Sequence, residues 1–100
     1  MFRDHAIATL KAALPELRRE FKVQELYLFG SVARGDDRSD SDVDVLVDFE
    51  PSARPTLGTF GRMQDTLELL LGRKVDVVEN HPRLRPVFRQ LIQQDMLRVA

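Results

Sequence analysis

The sequence contains no cysteine. Neither a disulfide framework nor a thiolate zinc site can form, and the redox compartment is left unconstrained by pairing. Long apolar runs are missing as well. None approaches the roughly 18 to 20 residues that a membrane-spanning helix requires. The opening "MFRDHAIATLKAAL" carries charge among its first residues and lacks the long apolar centre of a signal peptide. These absences predict a soluble, cytoplasmic protein without a membrane partner. There is no basic excess either, since the net charge is −1. Phosphate backbones demand a basic surface, so direct binding of nucleic acid is not expected. Repeats, linkers and low-complexity segments are absent, and the 100 residues read as one domain, 1–100. A chain of this size buries somewhat over about 60% of its unfolded surface, and 43% hydrophobic residues suffice for a modest core.

What the sequence does have is segregated charge. From Asp36 to Glu50 there are seven acidic residues against one base, Arg38, a balance of −6. From Arg83 to Arg98 four arginines face one acid, Asp95, a balance of +3. A locally acidic stretch in a nearly neutral chain points to cation binding.

Hydrophobic spacing supplies the scaffold. Ile7, Leu10, Leu14, Leu17 and Phe21 recur at helical intervals, so residues 4 to about 20 read as amphipathic helix. Pro15 is expected to interrupt it, with the helix ending near Ala13 and a short helical turn starting at the proline. "ELYLFG" is a short strand closed by glycine, and Ser31 opens a few helical residues that run to Gly35. In "DVDVLVDF", Val43, Val45, Val47 and Phe49 alternate with Asp42, Asp44, Leu46 and Asp48, a strand with one functional face. "PSARP" breaks the chain. Leu57, Phe60, Met63, Leu67, Leu70 and Leu71 then outline a helix that Gly72 stops. "KVDVVE" reads as a strand and "NHP" as a turn. Leu84, Phe88, Leu91 and Ile92 mark a helix with Pro86 in its first turn, and "MLRV" closes as a last short strand. The expected architecture is α/β (α+β): a small mixed sheet with helices packed on it.

Turn chemistry accounts for Asp36, Asp37 and Asp40, because Asp, Ser and Gly favour turns. It does not account for Asp42 and Asp44. Inside a valine-rich alternating run, these two share a strand face with Cα atoms roughly 6.5 to 7 Å apart, and like charges so placed repel unless a cation lies between them. A pair of hard oxygen ligands suits Mg²⁺ or Mn²⁺. Asp76, also flanked by valines, reaches the same place if its strand is the neighbour. Three carboxylates could then hold two ions about 3.5 to 4 Å apart, as phosphoryl chemistry requires. Gly30 lets the backbone come close to a ligand, and Ser31 stands where a strand turns into a helix, a corner suited to phosphate.

"FGSVARGDDRSDSDVDVLV" resembles the signature of the nucleotidyltransferase superfamily that includes DNA polymerase beta. Phe29, Gly30 and Ser31 correspond to its hydrophobic-Gly-Ser element. Asp42, Val43, Asp44 and Val45 correspond to its Asp-hydrophobic-Asp-hydrophobic element, with ten residues between Ser31 and Asp42. Within that superfamily the sequence is similar to the minimal nucleotidyltransferases (MNT), the antitoxin halves of modules whose partner is a helical HEPN-domain ribonuclease toxin. The resemblance implies a polymerase beta-like fold and transfer of AMP from ATP to a tyrosine of that toxin. It also implies that Asp42 and Asp44 bind two Mg²⁺ ions, while Asp76 ligates the catalytic ion and helps deprotonate the acceptor. Gly30 and Ser31 would hold the β- and γ-phosphates. Arg34 and Arg38 either compensate triphosphate charge or pair with the surrounding aspartates. Ser39 and Ser41 either orient carboxylates beside the nucleotide or serve as turn residues.

Two other readings stand beside this one: an antitoxin that neutralises its toxin by binding alone, and a nucleotidyltransferase subunit for a small-molecule or nucleic-acid acceptor. The Arg-Gly-Asp tripeptide at Arg34 to Asp36 is not expected to serve adhesion, His5 and His81 are expected to be solvated rather than catalytic, and Tyr27 is expected in the core. Arg85 and Arg89 are expected on a solvated helix face.

Overall fold

Ala6, Leu10, Leu14, Leu17 and Phe21 follow one another at intervals of three and four residues. In the computed structural model, which describes residues 1–99, they form the buried stripe of helix α1 (Phe2–Phe21). The expected break at Pro15 does not occur, because α1 runs through it. Pro15 lies on the exposed face, where its ring meets solvent. Its missing N–H costs about 3 kcal/mol in a helix interior. Burial of Leu17 and Phe21 beyond it returns roughly 1.5–3 kcal/mol each, enough to carry the helix on.

Strand β1 (Val23–Phe29) leads into the short helix α2 (Gly30–Arg34) and then, through the acidic loop, to β2 (Val43–Phe49). Helix α3 (Leu57–Leu71) connects β2 to β3 (Val75–Glu79), and helix α4 (Pro86–Asp95) precedes β4 (Leu97–Arg98). The sheet order is β3-β2-β1-β4. β1 is antiparallel to both β2 and β4, whereas β2 and β3 are parallel. A parallel pair needs a crossover, and α3 supplies it. The mixed sheet with helices on it is the architecture the sequence predicts, and "MLRV" does close at the edge of β1.

The two faces of the sheet are covered differently. Leu26 and Leu28 of β1, Val43, Val45 and Val47 of β2 and Val75 of β3 are buried under α1 and α3. Val23 joins them out of alternation because the β1–β2 register slips between Val23 and Glu25. Such a bulge inserts one residue and flips the side-chain parity beyond it. The opposite face carries a smaller cluster of Phe29, Leu46 and Ile92 of α4, flanked by half-buried Tyr27 and Val78. Tyr27 is thus a packing residue, as expected.

Helix α3 begins with a capping box in which Thr56 and Thr59 bond each other's backbone N–H, and Gly72 ends it with φ +70°. Its buried face is Met63, Leu67 and Leu71, while Leu57 is 92% exposed despite matching the apolar pattern. Phe60 meets Phe49 edge-on at 5.7 Å. Among the described residues no helix is long and apolar enough to cross a membrane.

Pro15→Ala restores the N–H that α1 lacks and keeps every buried contact. It is expected to stabilise the chain by about 1–3 kcal/mol, read as a higher urea midpoint. An unchanged or lower midpoint would show that α1 already accommodates the proline without cost.

Candidate active site

Strand pairing gathers the acidic residues at one end of the sheet. Because β1 and β2 are antiparallel, the end of β1 lies beside the start of β2, with Phe29 opposite Asp44. Because β2 and β3 are parallel and in register, Asp44 also lies directly opposite Asp76. Neighbouring strands are about 4.8 Å apart, so the two carboxylates crowd each other on the face that α4 covers. The ladder is started by the Val43 N–H, which donates to the Lys74 carbonyl at 2.8 Å. Asp42 sits one residue before β2 and is exposed, as is Asp76, while Asp44 is half-buried. The alternating pattern places Asp42 on the strand; the strand starts at Val43 instead, so Asp42 lies in the loop before it and not on the strand face.

Removal from water holds the Asp44 carboxyl above the usual carboxylate range, reinforced by the charges of Asp76 and Asp42 and only partly offset by Arg34. A desolvated carboxylate among like charges is a place where a hard cation lowers the free energy, and the all-oxygen donor set fits Mg²⁺ or Mn²⁺. Among the described residues no three carboxylate or imidazole groups already close on one point. Asp44 and Asp76 are paired across the two strands, and Asp42 stands exposed in the loop just before β2. Mg²⁺ tolerates such an incomplete protein shell because it keeps several waters and substrate phosphates as ligands.

Gly30 opens α2 with φ +74°, a conformation side chains rarely adopt. A Cβ there would also run into the Asp44 carboxylate, its oxygen Oδ2 above all, with Cγ at 3.2 Å. Glycine is therefore required by both the turn and the seat of the carboxylate. Ser31 is half-buried, and its carbonyl accepts from the N–H groups of Gly35 and Asp36, which closes the Arg-Gly-Asp segment as a helix end. At five residues α2 is too short to sum a macrodipole; what it can offer an anion is the unpaired N–H groups of a helix start.

The arginines divide. Arg34 donates from Nε to Asp36 at 3.1 Å and from Nη1 to Asp95 at 2.9 Å, and both bonds raise its pKa further. The ion-pair reading thus holds for Arg34, with N–H groups to spare on the other arm of its fork. Arg38 contributes backbone instead: its N–H donates to Ser41 Oγ at 2.8 Å and its carbonyl accepts from the Ser41 N–H at 3.0 Å. Ser41 accordingly builds the turn. Arg89, expected on a solvated face, is half-buried and donates to Asn80 at 2.8 Å and to the His81 carbonyl. It ties down the turn before α4. His81 Nδ1 accepts from the Arg83 N–H, His5 packs on Phe2, and both histidines are exposed to solvent, as expected.

Arg73 is the residue that sequence reasoning missed. It donates to Asp37 at 2.8 Å and to the Arg38 carbonyl at 3.0 Å, and its guanidinium stacks on the Phe2 ring at 3.6 Å. Both members of the Arg73–Asp37 pair are largely buried, unlike the other ion pairs at this end of the molecule. One side chain thereby joins the acidic loop to the start of β3 and to α1. Its only sequence signal is position, directly after the glycine that ends α3.

Residues 10–99 match the nucleotidyltransferase domain family. This chain belongs to that family. The nucleotidyltransferase is 49% identical over 69 residues to the protein adenylyltransferase MntA of Thermococcus cleftensis, covering 69% of this chain and 68% of that protein. A solved structure assigned as a minimal nucleotidyltransferase superposes with a TM-score of 0.70 at 36% identity, covering 91% of this chain and 93% of the other. A crystal structure of a toxin–antitoxin with AMP-PNP shares the fold, with a TM-score of 0.72 at 23% identity over 90% of this chain and 72% of that one. The polymerase beta-like resemblance of the sequence and the mixed sheet therefore agree.

The raised carboxyl gives a pH prediction. The folded-state value of Asp44 lies above its unfolded value of about 3.9, so the native state binds more protons between the two, and stability falls as pH rises through that window. In EDTA, Asp44→Asn is expected to be more stable than the parent near pH 7, with the difference closing below about pH 4. Mg²⁺ is expected to stabilise the parent and not the variant, by linkage to the native state. Urea unfolding across pH checks both, and a parent more stable than the variant in EDTA near neutrality would contradict the account. Gly30→Ala is expected to cost about 1–2 kcal/mol through its left-handed backbone and to lose the Mg²⁺ effect because its methyl displaces Asp44.

Proposed function

We propose that this nucleotidyltransferase is a Mg²⁺-dependent protein adenylyltransferase that moves AMP from ATP to a tyrosine hydroxyl of a HEPN-domain ribonuclease toxin and so acts as its antitoxin. The observation that carries the reading is the registration of Asp44 against Asp76 beside Gly30. The pairing supports the reading because it sets two carboxylates suited to a cation beside a backbone that a ligand can approach. The MntA relative, named a protein adenylyltransferase, supports the reaction type. The toxin–antitoxin neighbour with AMP-PNP supports an ATP donor and a toxin partner.

In this reading Asp42, Asp44 and Asp76 hold the metal ions, which when bound neutralise phosphate charge and ease deprotonation of the acceptor. Gly30 and Ser31 receive the β- and γ-phosphates, and the free arm of the Arg34 fork meets phosphate oxygens while Asp36 and Asp95 hold it from behind. The tyrosine oxygen attacks the α-phosphorus and the bond to the β-phosphate oxygen breaks. Pyrophosphate leaves with the bonding electrons. Asp76, exposed at the start of β3, takes the hydroxyl proton.

Intact mass spectrometry of the partner toxin after incubation with this chain, Mg²⁺ and ATP tests the proposal. Whole AMP units are expected to be added by the parent and not by the Asp42→Asn, Asp44→Asn double variant. A toxin that stays unmodified yet is neutralised in a stable complex would overturn catalysis in favour of occlusion.

A further inference from the structure

We infer that the outer edge of β3 is a self-association surface, on which a second copy of this chain adds its own β3 antiparallel about a two-fold axis at Val77. β3 forms one edge of the sheet and is the longer of the two edge strands, since β4 has only two residues. Which of its backbone groups face outward follows from two bonds. The Val43 N–H donates to the Lys74 carbonyl, and the Asn80 N–H donates to the Val47 carbonyl, both at 2.8 Å. With Val43 opposite Val75 and Val47 opposite Glu79, the even-numbered residues from Lys74 to Asn80 turn their backbone groups to β2, while Val75, Val77 and Glu79 turn theirs away. Two of the outward groups are occupied within the chain. The Val75 N–H donates to Glu68 Oε2 at 3.0 Å, and the Glu79 carbonyl accepts from the His81 N–H at 2.9 Å. Among the described residues, the Val75 carbonyl, both groups of Val77 and the Glu79 N–H have no protein partner.

The pattern of free and occupied groups decides the occupant. Antiparallel pairing about Val77 sets Val77 against Val77 of the second copy, and Val75 against Glu79 of the second copy. The two Val77 residues exchange both bonds, and each Glu79 N–H donates to the other copy's Val75 carbonyl, so every free group is used. The position left over would join the Val75 N–H to a Glu79 carbonyl, and these are the two groups that Glu68 and His81 already hold. An unrelated strand on the same edge would meet a filled donor at one end and a filled acceptor at the other, leaving a bond of its own unmade at each. Side chains select the same register. It sets Asp76 opposite Val78 of the second copy, whereas sliding the strands so that Val75 meets Val77 would set Asp76 against Asp76 and leave the Glu79 N–H unpaired. The edge carries no proline and no bulge from Val75 to Glu79, devices that commonly keep such edges apart. A two-fold pair closes on itself and stops at two copies. Both Asp44–Asp76 pairs then lie on one face of a continuous sheet, with the two Asp76 residues diagonal neighbours roughly 7–8 Å apart.

Sedimentation velocity of the full chain across a dilution series, in Mg²⁺ to screen the two Asp76 charges, tests the inference. The expected mass is that of two chains at high concentration, falling to that of one on dilution. Val77→Pro removes an N–H that β2 does not use, so the β2–β3 ladder is kept while the Val77 donors of the shared edge are lost. It is expected to weaken the pair about tenfold or more, with a cooperative urea transition showing that the variant folds. Amide exchange in the parent gives a second reading that needs no variant. The Val77 and Glu79 N–H groups are expected to lose about tenfold in protection on dilution, while the Val75 N–H, held by Glu68, keeps its own. The mass of one chain at every concentration overturns the inference. So does a pair in which Val77 and Glu79 exchange as fast as in the single chain, or which Val77→Pro leaves intact, because another surface then holds it. Protection of these amides only when a toxin is added overturns self-pairing in favour of a strand from that partner, and growth beyond two copies overturns the two-fold register. None of these outcomes depends on whether AMP is transferred.

Discussion

The parallel pairing of β2 with β3 is the constraint on which the rest of the structure depends. It sets Asp44 against Asp76 on adjacent strands, where removal from water raises the cost of the Asp44 charge and the charge of Asp76 adds to it. A sheet chosen for stability alone would place an apolar pair there, as it does at Val43 and Val75 one residue earlier. The like charges gathered here cost free energy, and folding energy elsewhere in the domain holds them together.

That energy comes from the other face. The valines of β2 alternate with its acids, so the same strand that carries Asp44 is fastened through Val43, Val45 and Val47 to α1 and α3. The pleat separates the two tasks by about one side-chain length, with a dry core below and a charged edge above. Arg73 adds a third fastening. Its buried pair with Asp37 and its stack on Phe2 hold the acidic loop against the core, so that Asp42 enters β2 at a defined place. Arg34 acts similarly on the opposite side, joining the loop to the end of α4.

The position of α4 gives the small domain an economy. A ten-residue helix lies beside the carboxylates with the apolar side chains of Phe88 and Leu91 still exposed. Those side chains cost solvation in the free chain. Phe88 and Leu91 thus form an exposed apolar surface beside a charged one.

The sequence by itself determined most of the elements and the family motif. Period-two valines announce β2, period-three-and-four leucines announce α1, and the spacing from Gly30–Ser31 to Asp42 and Asp44 announces the motif, because these patterns are written in neighbouring residues. Tertiary structure decided what depends on distant ones. Pro15 stays helical because Leu17 and Phe21 find a sheet to bury against, a gain that no local propensity contains. Val23 keeps to the core only through a slip in register with β2. Asp76 could be named from its valine flanks, but its place opposite Asp44 follows from the β2–β3 register. Arg73, alone between a glycine and a lysine, has no pattern at all. Its role exists because folding brings Asp37, 36 positions away in the chain, to within 2.8 Å of its guanidinium.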